Sequence, residues 1–256
     1  AGCGAGDSIS SSVSSISGKA VDGYLKGSTI CLDLSLDGLC QATEPTTDTN
    51  ATSIVAGSEG EFSFNITATH RAHENFDKAS IVVYGGTDID TGKKFDGKLE
   101  APNDGSEVNI TPLTTLVAKA VKKATADSNL TSAQIATQIE TAKANIIEVL
   151  GLPAGTEVGA DPVQLKKDGD EALIQASLSV QKSIQTLAKA AKTDTSNTKT
   201  EAELTEDMFE AMLLGLENAA DNNITGLDNL LEQTKALPTA QTLMGDRALA
   251  SVETAK

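Results

Sequence analysis

The sequence predicts an α+β chain, with an all-β sandwich over residues 18–111 followed by an all-α helical domain over residues 112–256. Three observations carry this reading. Tyr24, Phe62, Phe64, Phe76, Tyr84 and Phe95 precede residue 112 and only Phe209 follows it, so the later part must build its core from Leu, Ile, Val and Ala, as packed helices do. Up to Thr111, short apolar runs alternate with turn residues such as Asp22-Gly23, Asp37-Gly38 and Thr91-Gly92, the pattern of strands joined by tight turns. Beyond Pro112 the apolar spacing changes from two to about three and a half residues. A chain of 256 residues allows one large domain or two ordinary ones, and this change of composition favours two.

Residues 1–17 are too poor in apolar groups to fold alone and read as a Ser-rich arm or tether, with Ile9, Val13 and Ile16 able to dock as a strand or in a groove. Strands are expected at 18–21, 28–34, 51–55, 61–67, 80–84, 97–100 and 108–111, enough for a sandwich. Pro112 then opens a helix in whose first turn a missing N–H costs least. Ser132 to Leu150 forms a second, stopped by Gly151 and Pro153. Asp161-Pro162 caps a short turn. A third helix runs over about 170–192, where Leu173, Ser177, Val180, Ile184, Leu187 and Ala191 make a packing seam. Residues 193–203 are a polar linker, and helices are expected at about 206–221, with Thr205 as N-cap, 226–236 and 239–253.

The net charge of −16 repels phosphate backbones, which argues against a nucleic-acid partner and is compatible with cation binding or with a solvated acidic surface. No run approaches the ~18 to 20 apolar residues needed to cross a bilayer. The opening Ala1-Gly2-Cys3-Gly4 resembles the end of a bacterial lipoprotein signal, which implies lipidation at Cys3 and contact with a membrane only through that anchor. Of the three cysteines, Cys31 and Cys40 read either as buried thiols or as a disulfide. Their bracketing of a short loop, in a chain with secretion features, favours the disulfide and leaves Cys3 over.

That loop carries the strongest candidate site. Asp33, Ser35, Asp37 and Glu44 fall at positions 1, 3, 5 and 12 of a twelve-residue calcium loop, with Gly38 at position 6 for the sharp turn. Leu39 supplies its carbonyl, and Gln41 at position 9 could serve only as a neutral amide or through water. Calcium wants six to eight oxygens, which alternate residues of a tight loop can aim inward, and a site of this donor set belongs in the roughly 10⁻⁴ to 10⁻³ M range of extracellular modules. An acidic β-turn holding no metal is the other reading.

The run Gly18-Lys-Ala-Val21-Asp22-Gly23, this loop with Glu44-Pro45, and Gly60-Glu-Phe62-Ser-Phe64 resembles the carboxypeptidase-regulatory and collagen-adhesin B-type modules. The resemblance implies a transthyretin/Ig-like β-sandwich. The loop is similar to that of the B-repeats of staphylococcal surface adhesins, with Ser35 where Asn is usual and Gln41 where Asp is usual. Gly85-Gly86-Thr87-Asp88-Ile-Asp90-Thr91-Gly92, Thr111-Pro112-Leu113-Thr114-Thr115-Leu116 and Leu150-Gly-Leu-Pro153-Ala-Gly155 extend it, out to about residue 190, to large secreted or lipid-anchored surface proteins of Gram-negative bacteria.

Other candidates are less specific. Asp88 and Asp90 read as a second cation or ligand site or as a solvated turn. His70 and His73 could share a metal with Glu74, or lie on a surface loop. No nucleophile elbow, Walker loop, dinucleotide fingerprint or Cys-x-x-Cys occurs, and the Asn-x-Thr sequons carry no weight. The expectation is therefore a non-enzymatic extracytoplasmic protein, bacterial cell-surface or secreted, serving adhesion, envelope or matrix structure with structural calcium. Its partners would be surface or matrix components, or copies of itself. Alternatives are a self-assembling filament or matrix subunit that donates its N-terminal arm as a strand, and a lipoprotein that captures a small ligand among its C-terminal helices.

Overall fold

The computed structural model describes residues 15–40, 50–126 and 128–256, and the fold is mixed α+β. Its strands are β1 (Ser15–Lys19), β2 (Leu25–Lys26), β3 (Thr29–Asp33), β4 (Asn50–Val55), β5 (Glu61–Asn65), β6 (Ser80–Tyr84), β7 (Thr87–Asp88) and β8 (Lys98–Pro102). They form small antiparallel sheets: β4-β3-β6-β8, β1-β5 and β2-β7. Alternation is clearest in β5, where Phe62 and Phe64 are buried between exposed Glu61, Ser63 and Asn65, as a strand with one solvated face requires. By contrast β8 is buried throughout, because a helix covers it.

Two strand expectations need adjustment. The first strand begins earlier, at Ser15, since fully buried Ile16 pairs opposite Phe64; Ile9 and Val13 lie outside the described residues. The segment 108–111 is not a regular strand. It runs parallel to β1, with Val108 and Ile110 donating backbone N–H bonds to Ser17 and Lys19 at 2.8 Å each. Gly18 is required for this approach, because a Cβ there would sit 2.0 Å from the Val108 carbonyl oxygen. Between β5 and β6 lies the short helix α1 (Ala68–Arg71).

The remaining helices are α2 (Pro112–Ala126), α3 (Ser132–Leu150), α4 (Pro162–Lys167), α5 (Ala172–Lys192), α6 (Glu201–Asp221), α7 (Leu227–Ala236), α8 (Pro238–Ala250) and α9 (Val252–Ala255). Thr111 and Thr114 exchange side-chain to backbone bonds at the start of α2. Helix α3 has the expected bounds, with a Thr131/Gln134 capping box and Gly151 left-handed at φ 66°. Asp161 caps α4 with Pro162 in its first turn.

Helix α6 departs from expectation by starting at Glu201. Its cap is Thr200, in a capping box with Glu203, whereas Thr205 is buried inside the helix and donates its hydroxyl to the Glu201 carbonyl. Helix α8 is broken at Gly245, whose φ of 71° and ψ of 165° are not helical. Phe209 is fully buried among the helices. Buried side chains from Ile16 to Ala255 form one continuous cluster, and its polar seam lies between β8 and α2, where the Glu100 N–H donates to Thr115 Oγ1 at 3.0 Å.

Candidate functional site

The loop that leaves β3 is organised by its own acidic residues. Asp33 Oδ2 accepts the Gly38 N–H at 2.7 Å, Ser35 Oγ donates to Asp33 Oδ1 at 2.9 Å, and Asp37 Oδ1 accepts the Leu39 N–H at 2.8 Å. Gly38 at φ 74° makes the turn that brings its N–H back to Asp33. Cys31 and Cys40 close the loop as a disulfide with Cα atoms 5.7 Å apart. Asp33 is buried, and that burial lifts its carboxyl above the ordinary value, with the charges of Asp37 and Glu100 adding to the lift and the Gly38 and Ser35 hydrogen bonds opposing it.

Beneath the loop lies a group of charges that sequence reasoning did not single out. Lys98 and Glu100 come from β8, Lys119 from α2 and Glu206 from α6. Both lysines place Nζ 3.0 Å from Glu100 Oε1, and both also bond Glu206. Glu100 and Lys119 are each only 2% exposed. Burial alone would push the Glu100 carboxyl up; the ammonium groups of Lys119 and Lys98 outweigh it and hold the group at about 2. Burial would likewise lower Lys119, but Glu100 and Glu206 keep it above the ordinary lysine range.

The loop docks on this group. Lys98 Nζ donates to the Gly38 carbonyl at 3.2 Å, and the Tyr84 hydroxyl donates to the same oxygen. Burial and the nearby charge of Glu100 push the Tyr84 hydroxyl above its ordinary range. The signal available in the sequence was Lys98 and Glu100 two apart on an otherwise apolar strand, and Lys119 inside the apolar opening of a helix. Such residues share a buried face and must be paired there.

As a cation site, the loop brings Asp33, Ser35 and Asp37 into one turn, and Leu39 follows them. Glu44 and Gln41 lie outside the described residues, as does Cys3. The donors present are hard oxygens, and a carboxylate oxygen that accepts one N–H retains a lone pair for a metal, so their chemistry fits calcium. Among the described residues no group of three His, Cys, Asp or Glu side chains converges on one point, so the set depends on Glu44.

The other candidates are placed as follows. His70 Nδ1 accepts the Thr67 N–H in a capping box, and His73 Nδ1 accepts the Asn75 N–H. Each imidazole thus organises its own turn. Asp88 accepts from Asp90 N, at 2.9 Å, and from Thr91 Oγ1, at 2.6 Å, so Asp90 contributes its backbone to Asp88 rather than a second ligand. Asp88 faces Asp22 instead, a residue read from the sequence only as a turn former. No helix among the described residues is long and apolar enough to cross a membrane.

Comparison of the chain with protein-family models, with curated proteins and with solved structures gives no match.

Proposed function

We propose that this chain is a non-enzymatic extracytoplasmic surface protein in which the Cys31–Cys40 loop is a rigid, cation-stiffened element of a transthyretin/Ig-like sandwich, followed by a helical domain. The observation that carries this reading is the disulfide itself, closed over an acidic turn and seated on a buried ion group. Disulfides form and persist outside the reducing cytosol, and a short cross-linked loop resting on fixed charges suits a rigid support. Calcium, held by Asp33, Ser35, Asp37, the Leu39 carbonyl and Glu44, would neutralise carboxylates that otherwise repel one another. A Cys3 lipid anchor would tether the protein to a membrane.

The test combines intact mass, to count free thiols, with thermal unfolding in calcium and in EGTA, and with fractionation of the producing cell. Calcium should raise the melting temperature and the chelator should lower it. A melting point indifferent to chelator removes the metal from this reading, and recovery from the cytosol with both thiols free removes the location.

A further inference from the structure

Gly38, in the middle of the acidic turn, rests directly on charge. A Cβ built there would meet Lys98 Nζ at 2.6 Å, and Glu206 Oε1 and Lys122 Nζ at 3.9 Å each. Lys98, only 5% exposed, also donates to the Gly38 carbonyl. Lys122 is half-buried on α2, three residues beyond Lys119 and so on the same face of the helix. Beneath the turn, the ammonium groups of Lys98, Lys119 and Lys122 therefore stand against the carboxylates of Glu100 and Glu206. Three against two leaves one positive charge in excess, under a turn that carries Asp33 and Asp37.

A calcium ion held by this turn and an ammonium lodged against Gly38 are drawn to the same carboxylates and repel each other. Partial burial keeps solvent and salt from screening that repulsion fully. Glu206 acts in the opposite sense. Bonded to both Lys98 and Lys119, it offsets part of their charge.

We propose that Lys98 and Lys122 are resident counter-cations of the turn, which partly neutralise its carboxylates in the absence of metal and thereby lower its affinity for calcium. The inference rests on the calcium reading above and deepens it, by naming the residues that set the affinity beside those that supply the oxygens. Two consequences follow. The hydrogen bonds from the Gly38 N–H and the Ser35 hydroxyl to Asp33 hold the turn in shape without metal, because fixed positive charge beneath it reduces the mutual repulsion of Asp33 and Asp37. Calcium then binds against that positive charge, which places the site at the weak end of the range for such loops.

Isothermal titration of the intact, oxidised chain with calcium chloride tests this, with melting temperature in calcium and in EGTA as a second readout. Lys122→Gln and Lys98→Gln should each bind calcium about three- to tenfold more tightly than wild type, and Glu206→Gln should bind it more weakly by a similar factor. Lys122→Arg keeps the charge and should bind as wild type does. A merely structural role for these lysines would leave the affinity unchanged or loosen it. Circular dichroism verifies folding; should Lys98→Gln not fold, Lys122→Gln, which leaves the bonds of Lys98 and Lys119 to Glu100 in place, carries the decision alone. The proposal is overturned if Lys122→Gln or a folded Lys98→Gln binds no more tightly than wild type, if Glu206→Gln binds more tightly, or if Lys122→Arg binds as tightly as Lys122→Gln. Any of these, with calcium still bound by wild type, leaves the calcium reading standing. Binding by none of these proteins up to about 10 mM, above the range of the weakest such loops, removes the calcium reading and this proposal with it.

Discussion

Replacing Glu100 by glutamine removes one negative charge from a site where Lys98 and Lys119 each hold Nζ 3.0 Å from the same oxygen. At an effective dielectric of roughly 20, each contact is worth about 5 kcal/mol of attraction before desolvation. Withdrawing a buried carboxylate from water cancels much of that, and removing one partner of such a pair nets a loss of about 3–5 kcal/mol. For a chain of this size the loss corresponds to a melting point roughly 6–20 °C lower.

Acid supplies an internal control. The folded carboxyl titrates at about 2 against an ordinary 4.5, so its contribution is complete above about pH 4.5 and disappears as pH falls toward 2. The gap between wild type and Glu100→Gln should be widest at neutral pH and close in that window, as read by urea unfolding followed by circular dichroism at a series of pH values. A loss below about 1 kcal/mol at neutral pH, or a gap that acid leaves unchanged, would refute the view that these charges form a desolvated, mutually dependent group.

Further measurements probe other parts of the fold. Cys40→Ser opens a loop whose ends are separated by 9 positions, and should cost about 2–3 kcal/mol by chain-entropy arithmetic, measured by denaturant unfolding beside the wild type treated with reductant. Gly215→Ala should destabilise by about 1–3 kcal/mol, since its Cβ would meet Thr234 Oγ1 at 2.0 Å and Thr234 Cα at 3.0 Å; adding Thr234→Ala should recover part of the loss. Thr200→Ala should cost about 1 kcal/mol, whereas a dominant role for Thr205 as cap would leave it neutral. For Asp22, the folded group keeps its proton up to about 7 while the unfolded one loses it near 3.8, so folding is increasingly penalised as pH rises between them. Asp22→Asn should therefore raise stability on the order of 2 kcal/mol near pH 8 and bring no gain near pH 3.

Local signals were legible where they acted locally. Ser80–Tyr84 and Ser132–Leu150 have the bounds that their periodicity and stop residues indicate. The acidic turn after β3 was readable because Asp33, Gly38 and the two cysteines act within one loop. Thr200 is masked as a cap by its surroundings: Thr-x-x-Glu is a helix-start signal, but it lies in a polar stretch that reads as linker. The break at Gly245 has no local signature, because an isolated glycine does not by itself stop a helix.

Tertiary meetings were a different matter. Lys98, Glu100, Lys119 and Glu206 converge from a strand and two helices, and no spacing along the chain encodes that encounter. The same holds for Asp22, Asp88 and Gln181, each ordinary in its own neighbourhood. Alternation and turn chemistry describe one element at a time, while a buried charge acquires its meaning from the partner across the layer.

Because Lys98 Nζ touches both the Gly38 carbonyl and the Glu206 carboxylate, one nitrogen atom couples the cross-linked turn to the opening turns of α6. Reduction of the bridge would slacken the turn, withdraw an acceptor from that ammonium and leave Glu206 carrying more of its charge. The helix surface around Glu206 would thus register the thiol state of the two sulfurs. A protease or an antibody that reads that helical surface could distinguish oxidised from reduced molecules without contacting the sulfurs themselves.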